Sequence, residues 1–107
     1  MNRGEIRWYR FSSHDKNRPV LLLTRDSVLE YLNEVTIAPI TSTIRDIPSE
    51  VLLTPEDGMQ RDCAIVLDRL QTVSKSKLGA LITVLAPDRM AEVRSALLFA
   101  LGFGREG

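Results

Sequence analysis

Apolar residues fall along this chain in short blocks, each closed by a polar or turn-forming cluster, a spacing that fits β-strands better than long helices. From Gly4 to Phe11 the alternation sets Ile6 and Trp8 on one face and Glu5 and Arg7 on the other, as in a half-buried strand with Trp8 turned toward the core. Ser12 to Asn17 is a polar loop, and the continuous apolar run from Pro19 to Thr24 predicts a central strand. Asp26 is placed to cap a short helical turn carrying Val28, Leu29 and Tyr31. Val35 to Thr41 is a third strand, and Ile47 to Leu53 a fourth, with Pro48 among its first residues, where a missing N–H does no harm. Pro55-Glu56-Asp57-Gly58 is a turn, Cys63 to Leu67, Leu70 to Val73 and Leu81 to Leu85 are further short strands, and Pro87 suits the first position of a helix. That helix carries Met90, Val93, Leu97 and Leu101 at helical spacing and stops at Gly102. Many short strands closed by one amphipathic helix define a mainly β chain, a small, strongly bent antiparallel barrel forming one unit over residues 1–107.

Composition narrows the class. At 107 residues the chain can bury one core, and 44% apolar with 26% charged residues is ordinary for a globular domain. No apolar run approaches the roughly 20 residues of a membrane helix, and Met1 to Glu5 leads into a strand without a signal-peptide core, so a cytoplasmic location with no membrane partner is expected. Cys63 is the only cysteine, which excludes an internal disulfide and predicts a small buried hydrophobe. The formal charge is zero, against a protein that grips nucleic acid by bulk electrostatics alone. The cations are unevenly spread, however: Arg3, Arg7, Arg10, Lys16, Arg18 and Arg25 face only Glu5 and Asp15 in the first 25 residues, and Arg69, Lys75 and Lys77 form a second basic stretch.

Two segments carry candidate chemistry. Arg18 precedes Pro19, which forces extended backbone, so the arginine leaves the loop in a defined direction at the start of a strand. Its guanidinium is a planar fork of donors that fits a phosphate and remains charged at any working pH. The strand from Val35 runs out into Thr41-Ser42-Thr43, followed by Arg45. If the two strands lie side by side, a fixed cation and fixed hydroxyls meet at one sheet edge, an arrangement able to hold a phosphodiester without a metal. His14 is the single imidazole, and Trp8 and Tyr9 offer faces for base stacking. The chain has no glycine-rich phosphate loop, no spaced metal ligands and no carboxylate dyad, so neither metal nor cofactor is expected.

Arg3-Gly4-Glu5-Ile6, Arg18-Pro19-Val20-Leu21, Ala38-Pro39-Ile40-Thr41, Arg61-Asp62-Cys63, Leu70-Gln71-Thr72-Val73 and Leu78-Gly79, in that order and spacing, resemble the MazF/PemK family of toxin endoribonucleases. The resemblance covers nearly the whole chain. It implies an SH3-like barrel of the MazF/CcdB type and a metal-independent, sequence-specific endoribonuclease toxin of a type II toxin–antitoxin system. The chemistry implied is attack of a ribose 2′-hydroxyl on the adjacent phosphorus of single-stranded RNA. The family's catalytic arginine and threonine fall on Arg18 and Thr41, and His14, Lys16, Ser42, Thr43, Arg45, Arg69, Gln71 and Lys75 are expected to contact RNA. The partners implied are a second copy of the chain, as a homodimer, and an antitoxin. A groove lined by Arg3, Arg10, Lys16, Arg18, Lys75 or Lys77 should attract an acidic, disordered C-terminal segment of that antitoxin. Two other classes remain open on the residues: a non-enzymatic gyrase-poisoning toxin of the CcdB type, and a catalytically silent binding module on the same fold.

Overall fold

The computed structural model describes residues 1–104. Seven strands form one sheet: β1 (Glu5–Tyr9), β2 (Arg18–Leu22), β3 (Glu34–Thr41), β4 (Glu50–Leu53), β5 (Cys63–Val66), β6 (Gln71–Ser74) and β7 (Leu81–Val84). A single turn of helix, α1 (Asp26–Leu29), joins β2 to β3, and α2 (Pro87–Leu101) follows β7. Every pairing is antiparallel, in the order β4-β5-β3-β2-β1-β7. The pivot is β3. One of its edges meets β2, while the other is shared: Glu34 to Ile37 pair with β6, and Ile40 and Thr41 pair with β5. A strand that changes partner along its length bends the sheet, and the result is the expected small antiparallel barrel in half-barrel form, with β4 and β7 at its edges.

At β2 both faces of the bent sheet are buried, which is why the segment from Pro19 is apolar without interruption. Leu21 enters a cluster with Ile6, Ala38, Ile40, Leu53 and Ile65 that Val93 and Ala96 of α2 cover. Val20 and Leu22 turn the other way, into a second cluster with Tyr9, Leu29, Val35, Ile37 and Val73. Each such buried side chain contributes about 1.5–3 kcal/mol relative to exposure.

Several expectations need correction in detail. Trp8 shares a face with Ile6 but lies only half-buried, because it stands opposite Pro19 near the strand end, where the core runs out into a cleft. Its neighbour Tyr9, on the face read as polar, is buried in the second cluster and meets Phe11 edge to face at 4.9 Å. Asp26 is not an N-cap: Arg25 holds that position, and the Asp26 carboxylate instead accepts the Arg3 backbone N–H at 2.6 Å. Tyr31 projects into solvent, outside the apolar cluster that takes Leu29. The fourth strand starts only at Glu50, since the Glu50 N–H closes a turn onto the Ile47 carbonyl. Helix α2 begins at Pro87 and is stopped by Gly102, whose φ of 74° suits glycine. Its inner row is Val93, Ala96, Leu97 and Ala100, so Leu101 falls beyond the stripe and is exposed.

Candidate active site

The register of β2 against β3 pairs Val20 with Pro39, Leu21 with Ala38 and Leu22 with Ile37. Continued to the strand ends, it sets Arg18, the first residue of β2, beside Thr41, the last of β3. The two halves of the candidate chemistry therefore meet because both strands end at the same edge. Arg18 is exposed, and among the described residues its guanidinium makes no ion pair. Thr41 is half-buried, and its hydroxyl oxygen accepts the Thr43 N–H at 3.1 Å. That bond fixes the side chain and leaves the hydroxyl proton free to be donated outward.

Arg18 and Thr41 stand on the rim between two clefts. The first, of about 440 Å³, is walled by Trp8, Lys16, Asn17, Ser42, Met59, Gln60 and Arg61 over a floor of Ile40, Cys63 and Ile82. The second, of about 280 Å³, is lined by Phe11, Pro39, Thr43, Arg45, Val66, Arg69 and Gln71. Lys16, Arg18, Arg61, Arg45 and Arg69 are thus gathered at one end of a molecule of zero formal charge, and among the described residues no aspartate, glutamate or histidine lines either cleft. Three acids nearby are engaged by arginines. Glu5 accepts from Arg7, and the Asp57 carboxylate is held by Arg89 at 3.0 Å. Glu50, whose side chain is almost wholly buried, accepts the Arg45 N–H at 3.2 Å and lies 3.7 Å from its guanidinium, so it steadies Arg45 from behind.

Of the residues singled out in the sequence, Lys16, Ser42, Thr43, Arg45, Arg69 and Gln71 join Arg18 and Thr41 at these clefts. His14 lies exposed in the β1–β2 loop, outside both linings. Lys75 is drawn away, donating its ammonium to the Leu29 carbonyl at 2.5 Å, and Arg3 is tied to the Leu23 carbonyl at 2.8 Å. Arg10 and Lys77 line neither cleft. Met59, Gln60 and Arg61 are among the cleft residues to which the sequence reading gave no site role. They arrive because the turn before them is tightly capped: Thr54 accepts from Glu56 N–H while the Asp57 carboxylate accepts from Thr54 N–H at 2.9 Å. Such reciprocal capping was legible in Thr54-Pro55-Glu56-Asp57, but where it aims the following residues was not.

Cys63 borders the first cleft from below and is buried as expected. Burial pushes its thiol above the ordinary value of 9.0, and the charges of Asp57 and Asp62 push it the same way, so it is a neutral packing group at working pH. Among the described residues no group of three or more histidine, cysteine, aspartate or glutamate side chains is placed to hold a metal ion, and no helix is long and apolar enough to cross a membrane.

A bent antiparallel half-barrel with a closing helix and an arginine and a threonine on the rim of cationic clefts defines a small β-barrel protein with a cationic edge. Residues 2–101 match the family of PemK-like, MazF-like toxins of type II toxin–antitoxin systems, and the chain belongs to it. It is 39% identical to Endoribonuclease MazF3 of Mycobacterium tuberculosis over 82% of each chain. The Mycobacterium tuberculosis toxin MazF-mt6 superposes with a TM-score of 0.85 at 32% identity, covering 94% of this chain and 98% of that one. The same fold recurs at a TM-score of 0.87 and 24% identity, over 97% of each chain, in a mycobacterial endoribonuclease solved with its cognate antitoxin.

Proposed function

We propose that this MazF-like endoribonuclease toxin cuts single-stranded RNA in the cytoplasm at specific sequences, without a metal, with Arg18 and Thr41 as its catalytic residues. The observation that carries this reading is an unpaired guanidinium beside a half-buried threonine hydroxyl at a rim whose two clefts hold, among the described residues, no carboxylate or imidazole. In such a site catalysis rests on positioning and on stabilising charge as it develops.

The ribose 2′-oxygen bonds to the adjacent phosphorus while the P–O5′ bond breaks, and one proton passes in net from O2′ to O5′. The products are a 2′,3′-cyclic phosphate and a 5′-hydroxyl. Arg18 forks onto the non-bridging oxygens, whose charge grows in the transition state, and Thr41 donates to one of them. A strand draped over a rim with a cleft on each side is bent at the scissile phosphate, which favours the in-line approach that a stacked helix prevents. Single-stranded RNA also exposes base edges for the clefts to read. Lys16, Ser42, Thr43, Arg45, Arg69 and Gln71 supply the surrounding contacts to phosphates and bases.

The same cationic clefts suit an extended acidic peptide, so the antitoxin is expected to block them with a carboxylate-rich C-terminal segment. A mycobacterial endoribonuclease on this fold has been solved in complex with its cognate antitoxin. A homodimer would bring two sets of clefts together. A CcdB-type gyrase poison would leave Arg18 and Thr41 without a task. The test is incubation of the purified protein with a long single-stranded RNA in EDTA, with the ends of the fragments mapped. Cyclic phosphate ends at recurrent sites are expected; a requirement for added Mg²⁺ or Mn²⁺ would overturn the metal-free mechanism.

A further inference from the structure

Arg18, Ile40 and Thr41 are the residues common to both clefts, so a phosphate held at the rim must send its flanking nucleotides to opposite sides. The two sides differ in kind. The second cleft is the smaller and is lined by three arginines and a glutamine, whereas the first is larger and sets a half-buried indole, the thioether of Met59 and Ile82 beside Lys16 and Arg61. A flat aromatic face with cations at its margin and no acid is the composition that takes an unpaired base together with its phosphate.

The wall carrying Arg61 is held from three directions. Arg89 of α2 donates to Asp57 and to the Leu52 carbonyl, Thr83 of β7 donates to the Asp57 carbonyl at 3.2 Å, and Met59 is packed into the main apolar cluster. Arg61 itself is exposed and, among the described residues, forms no ion pair. A cation on a braced loop that lines the same cleft as an indole is preorganised rather than recruited.

We propose that Trp8 and Arg61 form a nucleotide subsite in which the base beside the scissile phosphate stacks on the Trp8 indole and Arg61 binds that nucleotide's outer phosphate, making both residues determinants of substrate choice. The inference rests on the reading of the rim as an RNA-cleavage site, and adds which side grips a base by stacking.

Trp8 is the only tryptophan in the chain, so its fluorescence reports the subsite directly. The probe is a short single-stranded RNA with 2′-O-methyl groups throughout, which binds but cannot be cut by 2′-hydroxyl attack. Titrating it into the wild-type protein is expected to quench the indole emission to saturation. Arg61→Ala should move the midpoint to about tenfold higher RNA and flatten the slope of log affinity against log salt by about 0.7, the value for one single-strand phosphate contact. Trp8→Ala, followed by anisotropy of a labelled probe, should weaken binding about tenfold while leaving the salt slope unchanged, as the loss of one stacked base requires. Trp8→Phe should recover most of that loss. Circular dichroism melts establish that each variant is folded, and only folded variants are compared. Saturating RNA that leaves the indole emission unaltered, or an Arg61→Ala protein with wild-type midpoint and salt slope, would overturn the proposal. Because the probe is uncleavable, a protein that quenches yet never cuts RNA would sink the functional reading alone, and one that cuts RNA without quenching would sink the subsite alone.

Discussion

Gly58 is where a single methyl group should cost most for its size. It closes the capped turn before the Met59–Arg61 wall with φ of 98°, in the left-handed region. A Cβ there would overlap the Thr83 hydroxyl and lie 2.7 Å from Thr83 Cβ. Thr83 cannot swing aside freely, because its hydroxyl donates to the Asp57 carbonyl. In Gly58→Ala the backbone alone should cost about 1–2 kcal/mol, as for a side chain in left-handed geometry. The overlap should add about 1–3 kcal/mol, as for other overpacked sites. The sum is a large share of the ~5–15 kcal/mol that holds a domain of this kind together. Urea unfolding followed by circular dichroism measures it, and repeating the substitution in a Thr83→Gly background separates the two parts, since only the overlap depends on Thr83. Equal losses in the two backgrounds would refute the overlap, and a Gly58→Ala protein as stable as wild type would refute both parts.

Arg89→Ala should lower stability by about 1.5–3 kcal/mol, the usual worth of hydrogen bonds to a charged group, because it strips the largely buried Asp57 of its partner. Burial opposes the charge of Arg89, but its bonds to Glu92 and Asp57 outweigh that and hold its pKa above the ordinary value, so this loss should be constant across the neutral range; a thermal melt unchanged by the substitution would contradict it. Cys63, with its thiol raised by burial, should react slowly with iodoacetamide in the native protein at neutral pH. The raised value also means that stability from the neutral thiol is fully present below the unfolded-state pKa and is lost as pH rises through the folded one; a Cys63→Ala protein should therefore decline less steeply above about pH 9, and parallel declines would refute this. His14→Ala should cleave RNA at the wild-type rate with an unchanged pH profile near neutrality, since His14 lies outside both clefts; a lost inflection would return it to the mechanism.

The strands around the site were legible because their signals are local. The run from Pro19 and the run into Thr41 are apolar for a reason visible in the sequence, burial on both faces, and the Arg18-Pro19 and Thr41-Ser42-Thr43 punctuation marked where they end. What escaped depends on partners distant in sequence. Trp8 obeys its alternation yet leaves the core, because the core ends where β1 faces Pro19. Asp26 had a good cap's chemistry but found the Arg3 N–H, 23 residues away, and Lys75 looked like a free cation until α1 supplied the Leu29 carbonyl. Arg69 and Gln71 were expected at the site from the family resemblance, but the change of β3's partner from β6 to β5 beside the second cleft they line was not legible. No periodicity records such a change.

Joint action of Arg18 and Thr41 on the phosphate, with no metal, is the core of the proposed mechanism. It is tested most directly by single-turnover cleavage of one mapped RNA site in EDTA by the wild type, Arg18→Ala, Thr41→Val and the double variant, each verified as folded. A rate lower by a factor on the order of 10²–10³ is expected for Arg18→Ala, as for a lost oxyanion donor. A smaller loss is expected for Thr41→Val, and a double variant little worse than Arg18→Ala, because the two residues serve one phosphate. Folded single variants that both cut RNA at the wild-type rate would contradict it.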